Sequence, residues 1–99
     1  MEYEPPTEKN YTIYSKSGCP SCTKAKALLK DEEVLLINCD EYLIEDREDF
    51  LKYMQTIIGK EYKMFPMIFK DGKFIGGFSE LKPFYDNEMV SKIMKNYET

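Results

Sequence analysis

Asp71-Gly72 constrains this chain more than any other pair of residues. It separates Met67-Ile68-Phe69 from Phe74-Ile75, with only Lys70 and Lys73 between. A two-residue Asp-Gly link tolerates left-handed φ at both turn positions, and that turn matches the twist of paired strands. The stretch therefore reads as a β-hairpin, and the rest of the chain must complete a sheet around it. Tyr11 to Ser15 reads as a strand. Pro20 or Ser21 to Asp31 reads as a helix with a small apolar stripe of Cys22, Ala25, Leu28 and Leu29. Val34-Leu35-Leu36-Ile37 is a continuous aliphatic run, as expected of a buried parallel strand. Phe50, Leu51, Met54, Ile57 and Ile58 share one helix face, and Gly59 follows as the C′ residue. Beyond the hairpin, the pattern predicts a short helix near Ser79 to Lys82, stopped by Pro83. A final helix from about Asn87 carries Met89, Val90, Ile93, Met94 and Tyr97 on one face.

The order is βαβαββα with the last helical region broken in two. Right-handed crossovers make the first two strands parallel, and the hairpin adds an antiparallel pair. The fold class is therefore α/β, a four-stranded mixed sheet with helices on both faces. Residues 1–10 read as a flexible polar arm and residues 11–99 as one domain, since 99 residues suffice for a single core and not for two.

Charge and composition exclude several function classes. The net charge is −4, with no basic cluster dense enough for nucleic acid. Met1-Glu2-Tyr3-Glu4-Pro5-Pro6 is acidic and proline-bearing, unlike a signal or transit peptide, and no apolar run is long enough to span a bilayer. A cytoplasmic monomer is the expectation. The absence of histidine removes imidazole as base, metal ligand or partner of a cysteine-protease nucleophile.

Cys19-Pro20-Ser21-Cys22 lies between the first strand and the first helix. Two thiols at this spacing can close a disulfide with little rearrangement. Cys19, just outside the first turn, faces unpaired N–H groups and the positive end of the helix dipole, which stabilise a thiolate; Lys16 adds a nearby cation. Cys22 belongs to the apolar stripe and should stay thiol-like. Cys19 is thus the expected nucleophile and Cys22 the resolving thiol. Pro20 pre-sets φ at the helix start. Zinc would need four ligands, and the chain offers only Cys39 besides this pair, so a redox couple is favoured and no metal is expected. An iron–sulfur cluster shared between two monomers is an alternative. Cys39 reads as a small semi-buried residue ahead of a second redox switch.

Phe65-Pro66 precedes the third strand, where local sequence alone favours a trans bond. Gly76-Gly77 leads into a helix start that suits an anion, with Ser79 as a candidate cap. Tyr14 to Cys22, Phe65-Pro66 and Gly76-Gly77-Phe78-Ser79-Glu80-Leu81, in this order and spacing, resemble the three signatures of the dithiol glutaredoxins over about residues 10 to 97. That resemblance implies a thioredoxin fold with Pro66 in cis facing the thiols. It also implies a groove for glutathione as reductant. Phe65 would pair its backbone with the cysteinyl part, and Gly77, Phe78 and Ser79 would hold the γ-glutamyl carboxylate. Lys16 and Lys63, with Gln55 or Thr56, would meet the glycyl carboxylate.

The implied activity is glutathione-dependent reduction of protein disulfides and glutathione mixed disulfides, with ribonucleotide reductase as a family-level target. Several positions depart from the family pattern. Ser21 stands where many members have Tyr, Met64-Phe65 replaces Thr-Val, Phe78 replaces a frequent Cys, and the segment around Lys60 to Lys63 is about two residues longer. Two alternatives stay open: a glutaredoxin-like hydrogen donor recharged by thioredoxin reductase, and an iron–sulfur-binding or redox-regulated interaction module.

Overall fold

The computed structural model describes residues 2–97; Met1, Glu98, Thr99 and the side chains of Lys95, Asn96 and Tyr97 lie outside the description. The elements are β1 (Tyr11–Ser15), α1 (Pro20–Leu28), β2 (Val34–Asn38), α2 (Asp40–Glu45), α3 (Arg47–Ile58), β3 (Met67–Lys70), β4 (Lys73–Gly76) and α4 (Phe78–Tyr97). The strands form one sheet in the order β2-β1-β3-β4. β1 runs parallel to β2, with Ile13 beside Leu36. It runs antiparallel to β3, with Ile13 beside Ile68. β3 and β4 form the expected hairpin, with Asp71 and Gly72 both at positive φ (52° and 79°), as a two-residue turn of this kind requires. This is the thioredoxin-like arrangement.

Strand alternation divides the interior between the two faces of the sheet. Tyr14, Met67 and Phe69 point towards α3 and pack with Phe50 and Met54. Tyr11, Ile13 and Ile68 point the other way, against Ala25 and Leu29 after α1 and Leu81 of α4. The sheet thus holds α1 on one face and α3 on the other, and brings the loops after β1 and before β3 to the same end.

Three sequence expectations change. Val34 to Ile37 is an edge strand in which only Ile37 is buried and Leu36 is 49% exposed, because nothing pairs beyond β2 among the described residues. α2 precedes α3 as a separate short helix that apolar spacing did not reveal. The last helix is also not broken: α4 runs through Pro83. The ring removes one backbone bond on an exposed stretch, while Leu81 and the half-buried Phe84 and Tyr85 hold the helix to the sheet on either side. The outer half of that helix exposes Met89, Val90, Ile93 and Met94 instead of burying them.

The amino-terminal segment makes contacts that its composition did not foreshadow. The Tyr3 ring sits edge-on to Tyr42 and Phe50, with centroids 5.1 and 5.4 Å away. Its hydroxyl, with one proton to donate, lies 2.8 Å from an Asp46 carboxylate oxygen and 2.7 Å from one of Asp49. The Tyr14 hydroxyl donates to the Glu4 carbonyl at 2.8 Å, so this segment is held to β1 as well as to the α2–α3 region.

Candidate active site

The two thiols meet where β1 gives way to α1. Cys19 is the N-cap of α1, with φ −116° and ψ 102°, and Pro20 occupies the first helical position. The Cys19 Sγ accepts from the Cys22 backbone N–H at 3.2 Å. A negatively charged sulfur here would keep that bond and gain from the helix dipole. In its protonated form the same sulfur donates to the Phe65 carbonyl at 3.6 Å, which ties α1 to the loop before β3. The Phe65–Pro66 peptide is cis.

Burial makes the pair unequal. Cys19 is partly exposed, whereas Cys22 is 1% exposed. Desolvation pushes the Cys22 thiol up to about 11, and its hydrogen bond with Cys19 works in the same direction. A hydrogen bond from the Lys16 backbone opposes this without reversing it. Cys39 is fully buried, and its Sγ donates to the Ile37 carbonyl at 3.7 Å. Burial pushes its thiol up to about 12, the environment of a structural cysteine. Among the described residues, no group of three or more Cys, Asp or Glu side chains is arranged to hold a metal ion.

The other expected site residues surround this point in different ways. The Lys16 ammonium lies over the Phe65 ring, 5.7 Å from its centroid, so cation and aromatic form one wall beside Cys19. Ser21 is half-buried in the first turn of α1, and Pro66 is buried at the base of the loop. Lys63 is exposed and pairs with Glu61 at 3.1 Å. With Gln55, Leu51 and Tyr62 it lines a cleft of about 280 Å³ beside α3. Two larger clefts among the described residues lie along α4 and are lined by neither thiol.

Gly77 and Phe78 are half-buried at the start of α4, and Ser79 is exposed. Ser79 is not the cap. Because the helix begins at Phe78, Ser79 already lies within the first turn, and Glu80 reaches back so that its Oε1 accepts from the Gly77 N–H at 2.8 Å.

Two neighbours of the site were missed. Tyr62, in the lengthened segment, stacks edge-on to Phe74 at 4.9 Å and places its hydroxyl against Gly77. Asp40, the first residue of α2, accepts from the Ser17 N–H at 2.8 Å and also from the Ser17 hydroxyl. An acidic residue after a strand carries no sequence signal for such a contact, since it depends on β2 lying beside β1.

The sequence profile of the glutaredoxin family matches residues 11–75. The chain is 33% identical over 86 residues to Glutaredoxin 1 of Rickettsia conorii, covering 85% of this chain and 79% of that protein. It is 30% identical over 87 residues to Glutaredoxin-C8 of Oryza sativa subsp. japonica, where it spans only 60% of the relative's length. The crystal structure of Glutaredoxin 1 from Francisella tularensis, complexed with cacodylate, superposes with a TM-score of 0.71. Its sequence identity is 29%, over 82% of this chain and 96% of that one.

Proposed function

Because the chain belongs to the glutaredoxin family, we propose that it reduces glutathione mixed disulfides and protein disulfides through Cys19 and Cys22, with glutathione as the electron source. One observation carries this reading: an accessible Cys19 sulfur capping α1, 3.2 Å from the Cys22 amide and against the loop of Pro66, beside a buried Cys22.

With a mixed disulfide, the Cys19 thiolate attacks the glutathione sulfur. The target leaves as a thiolate, and a second glutathione thiolate then attacks Cys19–S–SG, releasing oxidised glutathione and restoring Cys19. With a protein disulfide, Cys19 first forms a mixed disulfide with the target. Cys22 loses its proton, attacks Cys19 and expels the target thiol, and two glutathione molecules reduce the resulting Cys19–Cys22 bond. Burial and the neighbouring Cys19 keep Cys22 protonated in the reduced protein, which prevents it from competing for substrate.

The glutathione contacts follow the groove walls. The Phe65 backbone next to Pro66 takes the cysteinyl part, and the backbone of Gly77 and Phe78 with Ser79 takes the γ-glutamyl carboxylate, which must displace Glu80 from the Gly77 N–H. Ser21 borders the sulfur, and Lys16 and Lys63 face the glycyl carboxylate. Ribonucleotide reductase is a family-level target, and a cytoplasmic monomer suits the chemistry.

A coupled assay tests the reading. Turnover of a glutathionylated peptide with NADPH, glutathione and glutathione reductase is expected, lost in Cys19→Ser and kept in Cys22→Ser. The potential should lie at about −200 to −230 mV. A protein inert in this assay but driven by thioredoxin reductase would overturn the choice of reductant. The Glu61 partner that Lys63 already has gives that second reading its one structural support.

A further inference from the structure

Lys16 sits between two residues that are both gripped by the start of α2. Before it, the Ser15 carbonyl accepts from the Cys39 N–H at 2.8 Å. After it, both Ser17 donors end on the Asp40 carboxylate, the backbone N–H at 2.8 Å and the hydroxyl on the second oxygen. Asp40 is itself fixed, since its own N–H donates to Asn38 Oδ1 at 2.8 Å. The Lys16 side chain is exposed, and the held backbone on either side of it fixes where that side chain starts, from which the ammonium reaches over Phe65.

We propose that Asp40 is a positioning residue that holds the Ser15–Ser17 backbone so that the Lys16 ammonium stands over Phe65, at the edge of the thiol groove. The inference rests on the glutathione reading and deepens it: Asp40 acts on the ligand's glycyl carboxylate through Lys16 without touching the ligand. The hydrogen bonds from Ser17 hold the Asp40 carboxyl below the usual carboxylate range, and Lys16 adds to this, so the acceptor is ionised at neutral pH. Aspartate suits the position because two oxygens on a short side chain accept from both Ser17 donors at once. Alanine offers neither. Asparagine keeps one oxygen for the Ser17 N–H and an amide that can donate to the hydroxyl oxygen.

The test combines turnover of the full chain with amide exchange of the free protein. Asp40→Ala should raise KM for a glutathione mixed disulfide about fivefold, the size expected for misplacing one partly exposed charge contact, with kcat changed less than about twofold. Asp40→Asn should stay within about twofold of wild type in both constants, the conservative rescue. A mixed disulfide of glutathione amide, in which the glycyl carboxylate is replaced by an uncharged carboxamide, should show no Asp40→Ala penalty. Ser17→Ala combined with Asp40→Ala should be no worse than Asp40→Ala alone, because both remove the same contact.

The Ser17 amide should exchange faster in Asp40→Ala, read by NMR without any ligand. Unchanged exchange overturns the inference, as do equal losses on both substrates or an Asp40→Asn variant as impaired as the alanine. Wild-type protein inert toward glutathione, with Ser17 exchange still dependent on Asp40, would sink the glutathione reading and leave the grip standing.

Discussion

Iodoacetamide should discriminate among the three thiols of the reduced protein, and the structure sets the size of the discrimination. At pH 7.5 an ordinary exposed cysteine, with a pKa of about 8.5, is about 10% thiolate. With the Cys22 thiol pushed up to about 11, its thiolate fraction is about 3 in 10,000, some 300-fold lower. A more basic thiolate is also more nucleophilic, and a Brønsted slope of about 0.45 returns about 13-fold. Cys22 should therefore react about 25-fold more slowly than an exposed cysteine before its 1% exposure is counted, and steric exclusion lowers the rate further. For Cys39, at about 12, the same reasoning gives about 80-fold, again before its complete burial. Intact-mass spectrometry should then show one adduct, on Cys19, well before a second. In Cys19→Ser the first adduct should still be strongly delayed, because burial, the main cause of the raised Cys22 thiol, remains when the Cys19 hydrogen bond is gone. Alkylation of Cys22 or Cys39 at a rate within a few-fold of Cys19 would refute the claim that burial sets the order of reaction.

Phe69 is fully buried, with Tyr14 and Phe74 edge-on at 5.5 and 5.3 Å, so Phe69→Ala should cost about 3–5 kcal/mol by urea denaturation. Gly76 stands at φ 136°, and a Cβ there would lie 2.6 Å from Glu80 Oε1. Gly76→Ala should therefore lose about 1–3 kcal/mol, and amide exchange at Gly77 should rise as Glu80 is displaced from it. Stability should also fall on the alkaline side. The Cys39 thiol is raised in the fold, so its contribution is fully present below the unfolded thiol's pKa and is lost as pH climbs towards 12. By pH 9.5 that loss is about 1.4 kcal/mol, and Cys39→Ala should shrink the stability difference between pH 7.5 and 9.5 by about this amount, leaving the part due to the raised Cys22 thiol.

Much of this molecule was legible because local chemistry and tertiary placement agree. Asp71-Gly72 forms its turn from its own backbone preferences, and the alternation of Tyr11, Ile13 and Ile68 against Tyr14, Met67 and Phe69 carries the two-faced sheet directly. The Cys19 cap was readable for the same reason, since a thiol before Pro20 and a helix run needs only the first turn to find its donor. Illegible features depend on neighbours distant in sequence. Leu36 looked like core because its run is aliphatic, and only the sheet order makes it an edge. Pro83 looked like a stop because its ring removes a bond, but the contacts of Leu81, Phe84 and Tyr85 outweigh that single loss. Tyr3 gave no sign that Tyr42 of α2, Asp49, Phe50 and Tyr53 of α3 and Asp46 between the two helices would receive it.

The same distinction explains why the two lysines of the proposed glutathione groove differ. Lys63 lies in the lengthened segment before Pro66, exposed and already facing Glu61 two residues away, so any ligand carboxylate must compete with a local partner. Lys16 has no such competitor in its own segment. Its neighbours on both sides are fixed by β2 and α2, and its ammonium rests on an aromatic face that is a weaker partner than a carboxylate would be. An incoming carboxylate can take Lys16 from Phe65 at small cost, with the backbone already in place. Of the two cations that the sequence nominated, the one held by long-range contacts is therefore the better prepared to bind. Lys16→Ala should consequently raise KM for a glutathione mixed disulfide more than Lys63→Ala does, and equal effects in the coupled assay would show that the fixed backbone confers no advantage.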